Sequence, residues 1–380
     1  MKNNLKVYFG AVALLTTMSL TSCQKIDETI AYDFEVTTQT INNLDIDDSV
    51  QNSSKMETET IESEFTELEN TEEPVVEKKS ITISFTGDCT LGTYLASSNR
   101  AFEVLFENQQ DYAYYFQNVK DIFENDDYTV VNLEGPLTDS KTILENKPFI
   151  FKGRQDYVNI LLEGSVEAAN LSNNHINDYG KEGYNDTKDI LEKNNIAYFD
   201  NENFHIEEIN GIKFGFAGFK AFNLYTKNEI DKSLKYFEEN NVDIKIITLH
   251  GGIEYDYDFD SIKQELAYYS IDNGADLVIG HHPHILQGIE EYNGKYIVYS
   301  LGNFCYGGNA NPIDKNSMIA QVTFNFENDQ YMDYDLKLIP VSISSVSYTN
   351  NFQPTVLDGE DKEYVLKLVN EHSKNFEYKE

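Results

Sequence analysis

Leu277 to Gly288 reads LVIGHHPHILQG. Its first three residues are an apolar run, a glycine follows, and three of the chain's seven histidines (His281, His282 and His284) then fall within four residues. Imidazole is therefore concentrated where a buried strand gives out, and in open α/β sheets that is where ligands are held. If the arrangement recurs along the chain, the fold is α/β with one chemical edge.

It does recur. Working outward, Asp243 to Leu249 (DIKIITL) predicts a strand that delivers His250, with Glu254 just beyond. Val166 to Leu171 delivers Asn174 and His175, Tyr128 to Leu133 (YTVVNL) delivers Glu134, and Ile81 to Phe85 (ITISF) runs through Gly87 to Asp88. Helices are expected between them at Phe102 to Glu124, Arg154 to Glu163, Gly183 to Asn194 and Phe259 to Asn273. Asn210–Gly211 is a hairpin signal between Phe204 to Ile209 and Ile212 to Phe219, and Asn293–Gly294 turns one strand back into Lys295 to Ser300, followed by Asn303. Pro148 to Gly153 reads as a short strand and turn, Ser317 to Phe326 and Tyr334 to Ser345 as strands, and Glu360 to His372 as a closing helix.

Five strand ends thus present Asp88, Glu134, Asn174 with His175, His250, and His282 with His284. Carboxylate, amide oxygen and imidazole form a hard-to-borderline donor set that suits Mn, Fe or Zn. Each residue alone is as readily a turn former, a helix cap or a satisfied polar group; the recurrence is what points to metal. In an extended segment residues i and i+2 face the same way, so His282 and His284 can look into one cavity. Two ions about 3.5–4 Å apart would need a bridging carboxylate, for which Glu134 is suited. His175, beside Asn174, is placed to give a proton to a leaving group. Glu254, Asn303 and the more ambiguous His281 are expected to contact substrate or to support the ligands.

The chain carries 65 acidic against 29 basic residues, a formal net charge of −36, so most of its surface repels nucleic acid, and a nucleic-acid partner is excluded. A polyanionic substrate would need something locally positive. The sequence shows no Lys/Arg cluster, but a bound metal would serve. With 26 Tyr and 23 Phe there is ample bulk for a core. Cys23, Cys89 and Cys305 have no CxxC spacing; Cys89 and Cys305 read as small buried apolar residues, able to pair only if the fold joins them.

At the N-terminus Lys2 and Lys6 precede an apolar stretch, Val7 to Leu20, too short to span a membrane and patterned as an export signal. It ends Leu20, Thr21, Ser22, Cys23, which resembles a bacterial lipoprotein signal (residues 1–23) with Cys23 as the lipidated residue. That implies an extracytoplasmic protein held to the membrane by lipid. Residues 24–79 contain 16 acidic and 4 basic residues and no glycine, so they are expected to be a disordered, solvated spacer. A folded domain is expected over 80–345 and a C-terminal segment over 346–380.

The motifs GDCTLG, NLEGPLT, NLSNNHINDYG, LHGGIEYDYD, GHHPHILQG and SLGNF, in this order, resemble the CapA family of bacterial poly-γ-glutamate capsule synthesis proteins, over roughly Ser80 to Asn309. That family is similar in fold to calcineurin-like metallophosphoesterases, which implies a four-layer α/β/β/α sandwich. Matched motif by motif, the resemblance makes Asp88 and His284 ligands of a first ion, Glu134 the bridge, Asn174, His250 and His282 ligands of a second, and His175 the proton donor. In the metallophosphoesterase pattern a His stands two residues after the first Asp, and here that position is Thr90. The first ion would then have fewer ligands, so either its occupancy is weaker or a water or Cys89 fills in.

The resemblance implies a role in synthesis, export or anchoring of a poly-γ-glutamate-type polymer. Metal-assisted hydrolysis or transfer is one class of activity. The alternatives are a non-enzymatic polymer-binding subunit partnering a membrane synthase, and a stand-alone metal-dependent phosphoesterase.

Overall fold

The structure, a computed structural model, describes residues 76–144 and 147–379. The signal segment with Cys23 and nearly all of the acidic stretch before residue 76 lie outside the described residues. Four strands come first: β1 (Lys78–Thr90), β2 (Tyr128–Leu133), β3 (Ala168–Asn170) and β4 (Ala197–Phe199). Six follow: β5 (His205–Ile209), β6 (Ile212–Lys220), β7 (Ile244–His250), β8 (Leu277–His281), β9 (Ile289–Tyr292) and β10 (Lys295–Val298). The last are β11 (Asn303–Tyr306), β12 (Asn316–Glu327), β13 (Gln330–Ser342) and β14 (Thr355–Val356).

The first four and last four strands form one sheet, ordered β14-β13-β12-β1-β2-β3-β4 with β11 alongside β1; the middle six form a second, ordered β5-β6-β7-β8-β10-β9. Pairing is parallel along β1-β2-β3-β4 and along β6-β7-β8-β10, so the C-terminal ends of these strands share one edge in each sheet. Alternation of side chains decides the layers. Ile81, Ile83 and Phe85 of β1 pack with Phe214, Phe216, Ile244, Ile246, Leu277 and Ile279 of the second sheet in a shared apolar core. The opposite faces of β2 and β3 (Val131, Leu133, Ala169) meet α1 (Ala101–Gln109), α2 (Lys120–Phe123), α3 (Val158–Glu163) and α4 (Gly180–Lys193). Ala217, Phe219, Ile247 and Leu249 meet α5 (Lys227–Glu239) and α6 (Ser261–Asp272), while α7 (Gly359–Glu371) adds Val365 and Val369 to the core between the sheets. The result is the four-layer α/β/β/α sandwich.

Three expected elements differ. β1 continues past Phe85 to Thr90, so Asp88 lies on the strand and not after it. The helix expected over Phe102 to Glu124 is broken: Gln110 takes φ 50°, which ends α1, and the Asp111 side chain accepts from Ala113 N at 3.0 Å in a local turn that competes with helix. Pro148 to Gly153 is not a strand, since its backbone bonds go singly to Leu95, Pro136 and Thr138, with one bridge between Leu137 and Gly153.

Candidate metal centre

Asp88, Asn132 and Asn170 sit in register across β1, β2 and β3, and Asn303 of β11 lies opposite Asp88 on the other side. A polar residue in the middle of three buried strands has to find partners within the row, and each does. Asn132 Nδ2 donates to Asp88 Oδ1 at 2.6 Å and reaches His250 Nδ1 at 3.2 Å, while Asn132 Oδ1 accepts from Asn170 Nδ2 at 2.8 Å. The backbone must close tightly around this row. Asp88 N donates to Gly302 O at 2.9 Å, and a Cβ on the preceding Gly87 would stand 2.2 Å from that same oxygen. A Cβ on Gly218 of β6 would stand 2.1 Å from Asn170 Oδ1. Glycine is required at both positions.

The expected ligands converge. His284 Nδ1 lies 3.3 Å from Asp88 Oδ2, and Glu134 Oε1 lies 3.6 Å from His250 Nε2 and 3.9 Å from His284 Nε2. His250 Nε2 also meets Asn174 Oδ1 at 2.7 Å, and the His250 and His282 rings are 4.9 Å apart. Donor atoms gather within 4.8 Å of one another in three sets: Asp88, Glu134 and His284; Glu134, His250 and His282; and Glu254, His282 and His284. Glu134 is common to the first two, which is the position of a bridge.

His282 and His284 reach the cavity differently from the extended geometry expected. β8 ends at His281, and His282 (φ 98°) and His284 (φ 61°) both turn into the left-handed region. Their rings end 5.8 Å apart, brought together by two kinks and not by strand pleating. Non-glycine residues held there, with Tyr255 (φ 61°) packing 6.3 Å from His284, carry backbone strain that the surrounding contacts must over-determine.

Electrostatics follow from burial. Burial pushes the Asp88 carboxyl upward, but the His284 hydrogen bond and the His250 and His284 charges outweigh it and hold it well below the carboxylate range. Glu134 is pushed up to about 7 by burial and by the Asp88 charge. Burial alone would depress His284, yet Glu134 and Asp88 raise it to about 10. Burial depresses His250, and with the His284 charge takes His282 down to about 3. His250 and His282 are thereby neutral, as ligating imidazoles are, whereas His284 keeps a proton, held by Glu134 and Asp88, that a cation would have to displace. Two buried atoms are also left over: Glu134 Oε1 and His282 Nδ1 have no hydrogen-bond partner. A buried polar atom without a partner costs free energy that a bound cation would remove. The residues therefore fit a divalent ion.

His175 Nδ1 meets Asp178 Oδ2 at 2.7 Å, and Asp178, fully buried, also accepts from Phe151 N at 2.8 Å and pairs with Lys147. The carboxylate fixes the ring with Nδ1–H toward Asp178, leaving Nε2 as the working nitrogen. His175 lines a cavity of about 360 Å³ together with Glu254, Tyr255, His284, Tyr306 and Phe151. The supporting residues sort themselves. Asn303 Oδ1 meets His284 Nδ1 at 3.0 Å and its amide donates to His284 O. Glu254 is exposed at the mouth. His281 faces away, its Nε2 meeting Thr86 O at 3.0 Å, so it ties β8 to β1 and takes no place among the converging donors. Thr90 Oγ1 donates to Glu134 Oε2 at 3.1 Å. Cys89, one residue from Asp88 and hence on the opposite face, lies in the helix-side core with its thiol pushed up to about 12 by burial, so it does not complete the site; both Cys89 and Cys305 are free.

Sequence reasoning missed Asn132, Asp178 and Lys263. Lys263 is fully buried in α6, and its ammonium donates to His281 O at 2.9 Å and Tyr299 O at 2.6 Å, pinning the loop that carries the histidines. Asn132 did leave a signal: it is the one polar residue between Val131 and Leu133 in an otherwise apolar strand end.

A two-sheet sandwich whose parallel strands deliver acid, amide and imidazole to one edge is a metallophosphoesterase-like protein. Residues 82–307 match the family described as Bacterial capsule synthesis protein PGA_cap, and the chain belongs to that family. It is similar to the PGA biosynthesis protein CapA of Bacillus subtilis (strain 168), 30% identical over 248 residues covering 60% of this chain and 63% of the relative. It is also similar to the capsule biosynthesis protein CapA of Bacillus anthracis, 29% identical over 257 residues covering 60% and 61%. The matches thus span somewhat under two thirds of these relatives' length.

Proposed function

We propose that this protein acts in the making or handling of an anionic γ-glutamyl capsule polymer, as a metal-dependent hydrolase or transferase working outside the cytoplasmic membrane. The family's description and the names of the two relatives support the polymer. The observation that carries the chemistry is Glu134 Oε1: buried, without a hydrogen-bond partner, and facing both His250 and His284. In this reading Asp88, Glu134, Asn174, His250, His282 and His284 hold one or two divalent ions of the Mn, Fe or Zn type. Such ions, when bound, polarise a carbonyl or phosphoryl oxygen as Lewis acids.

The chain's own residues supply the rest. His175, oriented by Asp178, takes a proton at Nε2 from the water as its oxygen adds to the carbonyl carbon of a γ-glutamyl amide, and gives that proton to the leaving nitrogen as the C–N bond breaks. Tyr255, Tyr306 and Phe151 wall the cavity and limit water around that step. Lipidation at Cys23 would tether the domain beside membrane synthase subunits, the partners this reading calls for; the sequence Leu20-Thr21-Ser22-Cys23 after an apolar stretch supports the tether.

A second reading, a polymer-binding subunit without turnover, is favoured by one observation: Thr90 stands where the related site has an imidazole, and its hydroxyl holds Glu134 instead. The test is metal content and cleavage of γ-glutamyl oligomers and of p-nitrophenyl phosphate by the Mn²⁺-loaded full chain. His175→Ala should keep its metal and lose about 10²–10⁴ in turnover; equal turnover removes the proton donor. Tight binding of oligomers without cleavage supports the binder, and cleavage of the phosphoester alone a stand-alone phosphoesterase.

A further inference from the structure

Beside the metal cleft lies a second cavity of about 490 Å³, lined among others by Tyr94, Arg100, Lys152, Arg154 and Tyr179. The chain contains two arginines, Arg100 and Arg154, and both are here, in a protein of net charge −36. We propose that this cavity is a subsite for the carboxylates of an anionic γ-glutamyl chain that continues into the metal cleft; for the identity of the polymer the inference rests on the function proposed above.

The two cavities adjoin. Tyr94 lines both, its ring packed edge-on against Phe149 at 5.4 Å and Phe151 at 6.2 Å. Phe149 and Phe151 face the metal cleft, whereas Lys152, Gly153 and Arg154 face the second cavity, so one short segment is the wall between them. The cations are presented in different ways. Arg154 is fixed, donating to Asp156 from Nε at 2.8 Å and from Nη2 at 2.5 Å, with its guanidinium 5.1 Å over Phe106. Lys152 donates to Ser140 O at 2.7 Å and sits 4.6 Å over the Tyr179 ring, which leaves further ammonium protons for a ligand. Arg100 is exposed; its carbonyl accepts from Val104 N at 2.9 Å, and its guanidinium makes no hydrogen bond or ion pair among the described residues. Burial, and the charges of Lys141 and Arg100 set against that of Asp139, bring the Lys152 ammonium below its usual range.

Two acids also line the cavity, so the charges must be weighed. Glu103 accepts from Thr93 N at 3.0 Å through Oε1 and leaves Oε2 buried without a partner, and Asp139 stands beside Lys152. With Arg154 already paired to Asp156, Arg100 and Lys152 balance the two acids, so the cavity is locally near neutral within a surface that elsewhere repels anions. Separated single cations, interleaved with the faces of Tyr94, Tyr179 and Leu95, match a chain that carries one carboxylate and a short methylene arm per unit. They match a phosphate monoester poorly, because that group gathers its charge at one point.

The experiment compares the metal-loaded full chain with its Arg100→Gln/Lys152→Gln variant, both substitutions lying outside the core, for binding of a γ-glutamyl dimer and decamer by calorimetry, with metal content as the check on folding. Loss of two charge-assisted contacts should weaken decamer binding by about tenfold or more, leave the dimer affinity and the metal content unchanged, and flatten the salt dependence. Equal decamer affinity in the two proteins overturns the subsite. A loss seen with a polyuronate decamer, when the wild type binds no γ-glutamyl decamer, keeps the subsite for carboxylates and overturns the γ-glutamyl reading alone.

Discussion

Glu134 concentrates the argument at the scale of a residue. One carboxylate oxygen is held by Thr90 and the other is held by nothing, though it is buried between two imidazoles. Glu134→Gln keeps the volume and removes the charge, so affinity for Mn²⁺ should fall by at least about tenfold, read by calorimetry on the folded protein. Unchanged affinity would take Glu134 out of the ligand set. The convergence of Asp88, Glu134, Asn174, His250, His282 and His284 was legible in the sequence because each stands at or just beyond the end of an apolar run, and such runs are local features. Asn132 was not, since its role comes from its register against Asp88 and Asn170, which no local pattern contains. The sequence shows no Lys/Arg cluster for the same reason: Arg100 and Arg154 are far apart along the chain, and the fold brings them to one cavity.

At the scale of elements, the parallel strands were read well and the helices less well. Strands β2, β7 and β8 announce themselves by short apolar runs ending in polar residues, whereas the run from Phe102 to Glu124 has helical bulk but is interrupted by a side-chain turn at Asp111. Sheet-to-sheet fit near the site depends on one absent side chain. Gly218 on β6 lets Asn170 of β3 project between the sheets, and Gly218→Ala would put a Cβ 2.1 Å from Asn170 Oδ1. Neither strand can move without dragging the polar row, so the variant should lose about 1–3 kcal/mol in urea unfolding. A stability equal to that of the parent would mean that the row is more pliant than its hydrogen bonds imply.

For the whole molecule, the division of the candidate ligands matters most. Asp88, Glu134 and Asn174 come from the first sheet and its loops, and His250, His282 and His284 from the second. An ion held by both joins the two halves of the sandwich and binds the folded state only. At a hundredfold excess over its dissociation constant it would contribute about 2.7 kcal/mol, so chelation should lower the melting temperature. Identical melting curves with and without chelator would show that the sheets hold together without help from an ion.

The strand order has a consequence for how the chain assembles. β1 is central, yet its antiparallel neighbour β12 begins only at Asn316, after all of the second sheet. Pairings so distant along the chain form slowly, and until β12 arrives one flank of β1 is an open ladder able to accept a strand from another molecule. That flank of β1 is therefore sealed late, after the whole of the second sheet. The interval before that sealing is when a newly made copy is most exposed to pairing with its neighbours.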